Sequence, residues 1–253
     1  MVNECRLYTS RRQPSNLGAL PRGRADHGRH GRPAHDRSLT ALFMSHYIVT
    51  GASGGLGRVV VSTLQQRGWN VVGLTSADGD LTDATIAANL IQKHSEGLSG
   101  LVHLAGGIIA GAPLEELKLD DLHRMYQLNV VTTFNVLSAA LPIMKGQGAG
   151  SIVTIGSQSV VHPVANRAAY ASMKAAVVAM TQAVAEEGRA HQVRANVILP
   201  SIIRTEANLL WADEVESKGW PTPEQISRTI ADLLDPASAV SGAAIPIFGT
   251  IPF

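Results

Sequence analysis

Ser157, Tyr170 and Lys174 are the residues of this chain whose types and spacing can do chemistry. The tyrosine and lysine stand four apart, and the serine precedes the tyrosine by thirteen. On a helix, an i, i+4 pair projects from one face. A phenol, with a reference pKa near ~10, is a poor acid/base at neutral pH. A nearby ammonium favours the phenolate and makes proton exchange feasible. Ser157 can hydrogen-bond an oxygen on which charge develops. Asn129, in Leu128-Asn129-Val130, can hold a water that links Lys174 to solvent. Upstream, Gly51-Ala52-Ser53-Gly54-Gly55-Leu56-Gly57 has the spacing G-x-x-x-G-x-G. Glycine permits a tight turn and close approach of backbone to a pyrophosphate, and a helix N-terminus offers unpaired N–H groups. A dinucleotide grip ahead of a phenolic acid/base argues for hydride transfer between a nicotinamide and a carbonyl or alcohol. The nicotinamide's own positive ring would further favour phenolate.

Those groups need elements to hold them, and the hydrophobic pattern supplies candidates. Tyr47–Thr50 reads as a buried strand running straight into the glycine turn. Leu56 to Arg67 reads as a helix with Leu56, Val59, Val60, Thr63 and Leu64 on one face, ended by Gly68. Asn70–Leu74 reads as a second buried strand, Leu81 to His94 as a helix and Leu101–Leu104 as a third strand. Asp120 to Met144 reads as a long helix with Pro142 near its end. Ser151–Ile155 follows as a strand, Asn166 to Glu187 as an Ala-rich helix, and Arg194–Leu199 as a strand. Pro223 to Leu234 is a helix and Ala244–Phe248 a last short strand. Alternating strands and helices imply a single α/β domain: a doubly wound parallel sheet of the Rossmann type, covered on both faces.

The cofactor is NAD or NADP, and the residues do not choose between them. An acid at the end of the second strand would hold a ribose 2′-OH, and an arginine there would suit NADP. The strand ends Gly73-Leu74-Thr75-Ser76, with neither. Arg58 reads equally as a solvated first-turn residue. Asp80 either faces the adenine or caps the next helix. The connection from Leu74 to Asp80 is too short for a crossover helix.

The 253 residues are 45% hydrophobic, 16% charged and 4% aromatic, which suits a globular α/β body with a core of small aliphatic side chains. No apolar run approaches a membrane span. Residues 1–43 hold eight arginines, no lysine and three acids; the remainder holds 13 basic and 17 acidic groups. That mildly acidic body gives no reason to expect nucleic acid as a partner. The arm, 1–43, has no helix or strand period and is expected to be disordered, with 44–253 forming the catalytic domain. It reads as an upstream extension before a start at Met44, as a transit peptide, or as a basic nucleic-acid arm. A secretory signal is not expected, because the arm has no apolar core. The single cysteine, Cys5, excludes an intramolecular disulfide and a thiolate metal site. It fits a reducing compartment, and the expected location is cytoplasmic.

The chain resembles the short-chain dehydrogenase/reductase family over about residues 45–249. The resemblance is carried by Thr50 to Gly57, Leu128-Asn129-Val130, Ser157 and Tyr170-Ala171-Ser172-Met173-Lys174. It implies an Asn129-Ser157-Tyr170-Lys174 tetrad, with Lys174 also bonding the nicotinamide ribose. It implies cofactor contacts at Gly51, Ser53, Gly54, Gly55, Leu56, Gly57, Thr75, Asp80, Leu81, Ala105, Gly106, Tyr170, Lys174, Pro200, Ile203 and Thr205, and no metal. It also implies a homo-oligomer, tetramer or dimer, built through the two long helices. Two departures stand out. The family's Asn-Asn-Ala-Gly is His103-Leu104-Ala105-Gly106 here, His103 reading as a structural replacement, and its Pro-Gly is Pro200-Ser201. The truncated second crossover resembles dihydropteridine reductase-like members, which usually lack the serine kept here.

The substrate is a small-molecule carbonyl or alcohol, and its loop is expected at 202–223. Leu209, Leu210, Trp211 and Trp220 either line a lid or pack a Leu/Trp helix face on the body. Gln158 and His162 follow Ser157 and border the pocket. A competing reading is a dinucleotide-sensing regulator without turnover. A third is a nucleic-acid binder using the arm, which predicts steep salt dependence.

Overall fold

Residues 46–109 and 111–250 are described by the computed structural model; the arm expected over 1–43 lies outside them. Six strands alternate with helices. They are β1 (His46–Thr50), β2 (Asn70–Leu74), β3 (Leu98–His103), β4 (Gly150–Ile155), β5 (Val193–Pro200) and β6 (Ala244–Ile247). All pairings are parallel, in the order β2-β1-β3-β4-β5-β6. Successive strand residues face opposite ways, and this period of two sorts the core into two layers. One layer joins Ile48, Leu101 and Ile152 to Ile91, Val136 and Met144; the other joins Val49, Val102 and Val153 to Val60, Ile226 and Ile230. The helices are therefore on both faces of the sheet, a doubly wound Rossmann-type architecture.

The helices between the strands are α1 (Gly55–Gln66), α2 (Ala84–Lys93), α3 (Leu119–Tyr126), α4 (Thr132–Gln147) and α5 (Ala168–Gly188). After β5 come two short helices, α6 (Glu206–Leu209) and α7 (Glu214–Ser217), then α8 (Pro223–Leu234). The strand β2 was expected to be buried and is not: its residues are mostly half-buried or exposed. It pairs with β1 alone and forms a sheet edge, so a run of apolar residues did not reveal its position. The second helix starts at Ala84 rather than Leu81. Asp83 caps it, accepting from the N–H groups of Thr85 and Ile86 at 2.8 and 3.0 Å.

The expected long helix from Asp120 to Met144 is interrupted by a π segment, Gln127–Val131, and continues through Pro142 to Gln147. The extra residue in the turn disrupts the regular ladder. Thr132 and Thr133 donate their hydroxyls to the carbonyls of Leu128 and Asn129, at 2.8 and 2.6 Å. Leu119–Gln147 is long and apolar enough to cross a membrane by length and average composition, although polar residues such as Thr132, Thr133 and Asn135 interrupt its apolar run. Half of its most apolar window is packed inside the fold, as in a core helix.

Candidate active site

The sheet order reverses at β1, with β2 on one side and β3 on the other. Open α/β sheets bind ligands beyond the carboxyl ends of their strands at such a point. The glycine turn lies there. Gly51 has φ +70°, and a Cβ on it would lie 2.9 Å from the Ala105 nitrogen; a Cβ on Gly57 would lie 2.2 Å from the Gly51 oxygen. Both positions admit only hydrogen, so the turn folds tightly and leaves its outer face open. Beside it is a cleft of about 400 Å³, bordered by Gly51, Ser53, Gly54, Thr75, Asp80, Leu81, Ala105 and Gly106. The cleft and the cradle of glycine backbone fit a dinucleotide. Leu56 is buried in the core behind the turn. Gly55 and Thr205 border an adjacent hollow with Arg58, and a Cβ on Gly55 would meet the Thr205 side chain at 2.9 Å.

Two uncertainties about the cleft are resolved by geometry. Asp80 does not cap α2; its carboxylate accepts from the Thr82 N–H and hydroxyl, each at 2.8 Å, while it borders the cleft. Arg58 donates to the Ser53 carbonyl at 2.7 Å and lies 3.6 Å from Glu206. Sequence reasoning passed over Asp78, whose carboxylate accepts from the Thr75 N–H and hydroxyl at 2.8 Å and ties down the end of β2. The signal was an acid three residues after a threonine.

A second cavity of about 210 Å³ contains Ser157 and Tyr170, together with Gln158, Pro200, Ile203 and Trp211. Ser157 stands just beyond β4 in extended backbone, and its hydroxyl accepts from the Ser159 N–H at 3.1 Å. Tyr170 and Lys174 share a face of α5. The ammonium is 5.9 Å from the phenol ring centre and donates to the Ile155 carbonyl at 3.0 Å. A Cβ on Gly106 would lie 2.8 Å from Asn129 Oδ1 and 3.3 Å from Lys174 Nζ, so both side chains meet behind that glycine. Asn129 donates to the carbonyls of Gly107 and Met125 at 2.9 and 3.0 Å, and the Gly107 N–H returns a bond to its Oδ1. The π segment carries Asn129 into this position.

Burial raises the Tyr170 pKa, while the nearby Ser157 hydroxyl and the positive charge of Arg167 pull it down. The cation expected to act on the phenol was Lys174; in the protein by itself it is Arg167 that does so. Burial lowers the Lys174 pKa to about 8. His103 is 2% exposed and sits beside Thr50 in the sheet, with Nδ1 2.8 Å from the Thr50 hydroxyl. Its Nε2 has no partner among the described residues. Burial, then the charge of Lys174, lowers its pKa to about 3, so the ring is neutral.

The loop after β5 matches each expectation only in part. Trp220 is buried, but Leu209, Leu210 and Trp211 are exposed, so no Leu/Trp helix face packs on the body. Trp211 instead borders the cavity of Ser157 and Tyr170, with its ring 5.4 Å from that of Trp220. Gln158 borders the same cavity, whereas His162 is exposed and its ring meets Phe248 edge-on at 5.6 Å. Arg167, which sequence reasoning missed, borders the cavity too. It precedes Tyr170 by three residues, the other helical spacing that shares a face.

A sequence model described as short chain dehydrogenase matches residues 75–215. The 3-oxoacyl-[acyl-carrier-protein] reductase MabA of Mycobacterium tuberculosis is 27% identical over 224 residues, covering 80% of this chain and 90% of that protein. The acetoacetyl-CoA reductase of a Synechocystis species is 29% identical over 226 residues, covering 80% and 94%. Among solved structures, ElxO with NADP bound superposes with a TM-score of 0.75 at 22% identity, covering 81% of this chain and 98% of that one.

Proposed function

The chain belongs to the short-chain dehydrogenase family and is an NAD(P)-dependent oxidoreductase, and on that footing we propose that Tyr170 is its acid/base. The reaction is reversible hydride transfer between a nicotinamide and a carbonyl or secondary-alcohol substrate. The reduced cofactor, when bound, supplies the hydride to the carbonyl carbon. Tyr170 gives a proton to the carbonyl oxygen as the alcohol forms, and takes it back in oxidation. Ser157 donates to that oxygen as its negative charge grows. Lys174, whose pKa of about 8 leaves it mostly charged at neutral pH, returns protons toward Asn129. The observation that carries this reading is that Ser157 and Tyr170 border one cavity, while Lys174 and Asn129 meet behind Gly106 at the wall of the glycine-turn cleft.

Asp80 is the charged residue among the described lining of that cleft, and neither lysine nor arginine borders it. A ribose 2′-hydroxyl suits such a rim better than a 2′-phosphate, which supports NAD over NADP. Phe134, 59% exposed, shares an apolar hollow of about 220 Å³ with Leu141, Met180 and Val184 on α4 and α5. This supports a homo-oligomer, tetramer or dimer, through those helices. The single cysteine supports a cytoplasmic location.

The test is oxidation of NADH and NADPH by the full chain across a panel of carbonyl compounds, with Tyr170→Phe alongside. Turnover is expected to fall by roughly 100-fold or more in the variant while dinucleotide binding persists. Undiminished turnover in the variant removes Tyr170 from the chemistry. Dinucleotide binding with no turnover by the wild type favours a sensing role.

A further inference from the structure

Arg167 is the one charged residue among the described lining of the cavity that holds Ser157 and Tyr170. The rest of that lining is apolar or neutral, with Ile108, Ile155, Ile203 and Trp211 prominent. Its side chain is half-buried, and no hydrogen bond or ion pair holds it among the described residues. Asp121 borders a smaller neighbouring hollow of about 30 Å³ that Arg167 also touches, yet no ion pair joins them.

A structural role does not account for this placement. Arg167 is the N-cap of α5, and a cation at a helix N-terminus opposes the helix dipole. The residue before it, Asn166, has φ +61°, a backbone region that non-glycine residues seldom adopt. Its carbonyl is held there by the Gly111 N–H at 3.2 Å. Asparagine is among the few residues that adopt this left-handed conformation readily. Here it delivers a guanidinium to the cavity three residues before the proposed acid/base. The charge acts on the Tyr170 phenol, an independent sign that the two groups lie near each other.

A half-buried guanidinium on the cavity wall, with no ion pair among the described residues, can bind an anion through charge-assisted hydrogen bonds. Its planar fork matches a carboxylate bidentately, and one positive charge is balanced by one negative charge. We infer that the substrate is a carbonyl or secondary-alcohol compound bearing a carboxylate, and that Arg167 binds that carboxylate. The inference rests on the oxidoreductase reading above for where the reacting carbon lies. The carboxylate takes no part in the redox step. It fixes which face and which carbonyl the substrate presents to Tyr170 and Ser157.

The test uses the full chain with NADH and three probe acids: pyruvate, acetoacetate and levulinate, each paired with its methyl ester. Calorimetry gives binding and NADH oxidation gives turnover. At least one acid is expected to bind roughly tenfold or more tightly than its ester. Arg167→Gln brings that ratio to about one, and Arg167→Lys keeps part of it because it retains the charge without the fork. Equal binding of every acid and ester by the wild type overturns the inference, as does a preference that survives in Arg167→Gln. Circular dichroism checks that the variants fold, and the wild-type comparison stands without them. The two readings fail separately. Acids that bind through Arg167 but are not reduced would sink the oxidoreductase assignment alone. Esters bound and reduced as well as acids would sink the carboxylate assignment alone.

Discussion

Replacing Lys174 with methionine should make the protein more stable while removing its turnover. Lys174 is 7% exposed, and burial alone lowers its pKa from 10.5 to about 8. At about 1.4 kcal/mol per tenfold change in proton affinity, that displacement represents about 3 kcal/mol of penalty on the folded state at neutral pH. Methionine fills a similar volume without charge. The variant also loses the 3.0 Å bond to the Ile155 carbonyl, and leaving that acceptor unpaired costs about 1–2 kcal/mol. The net expectation at neutral pH is a gain of about 1–2 kcal/mol, at roughly 2–4 °C of melting temperature per kcal/mol for a domain this size. The pH dependence is the sharper signature. Between about pH 8 and 10.5 the unfolded wild type holds the Lys174 proton and the folded wild type does not. Wild-type stability therefore rises with pH across that window, by up to about 1.4 kcal/mol per pH unit, relative to a variant that lacks the group. The advantage of Lys174→Met should shrink from neutral pH upward and reverse near about pH 9. Urea unfolding of both proteins at several pH values between about 7 and 10 measures it. A difference that does not move with pH would refute the argument that burial of the charge sets this lysine's proton affinity.

Three further outcomes follow from the same geometry. Gly57→Ala places a methyl 2.2 Å from the Gly51 oxygen, so it should cost about 2–4 kcal/mol of stability and abolish dinucleotide binding, read by unfolding and by calorimetry. His103 stays neutral to about pH 3 when folded but takes a proton near 6.5 when unfolded, so its burial makes stability fall as pH drops through that window. His103→Asn should flatten the fall, the wild type losing about 2 kcal/mol more than the variant between about pH 6.5 and 5 in paired urea titrations. NADH should be used with a lower KM than NADPH, because Asp80 is the charged residue among the described lining of the cleft and an acid there disfavours a 2′-phosphate; steady-state kinetics with both cofactors decides this.

Local rules made much of this chain legible in one dimension. The glycine spacing after a β-branched stretch located the turn at the sheet's switch point, since only hydrogen fits at Gly51 and Gly57. The i, i+4 spacing put Tyr170 and Lys174 on one face of α5, and the alternation of strands and helices gave the doubly wound sheet. Contacts between distant segments set the rest. An apolar run such as Asn70–Leu74 cannot say whether it has neighbours on both sides, and here it has one. Helical periodicity from Asp120 onward hides the π segment that turns Asn129 toward Gly107, because one extra residue in a turn leaves the apolar pattern almost unchanged. The exposure of Leu210 and Trp211 depends on what the loop after β5 packs against, which composition does not record. Lys174 acquires a pKa near 8 only when the sheet, α5 and the Ala105-Gly106 backbone close around it, and Arg167 becomes a cavity wall only when Asn166 is held in left-handed backbone by Gly111. The sequence by itself determined which groups could do the chemistry; the tertiary structure decided their burial, and so their charge, because desolvation comes from atoms far away in the chain.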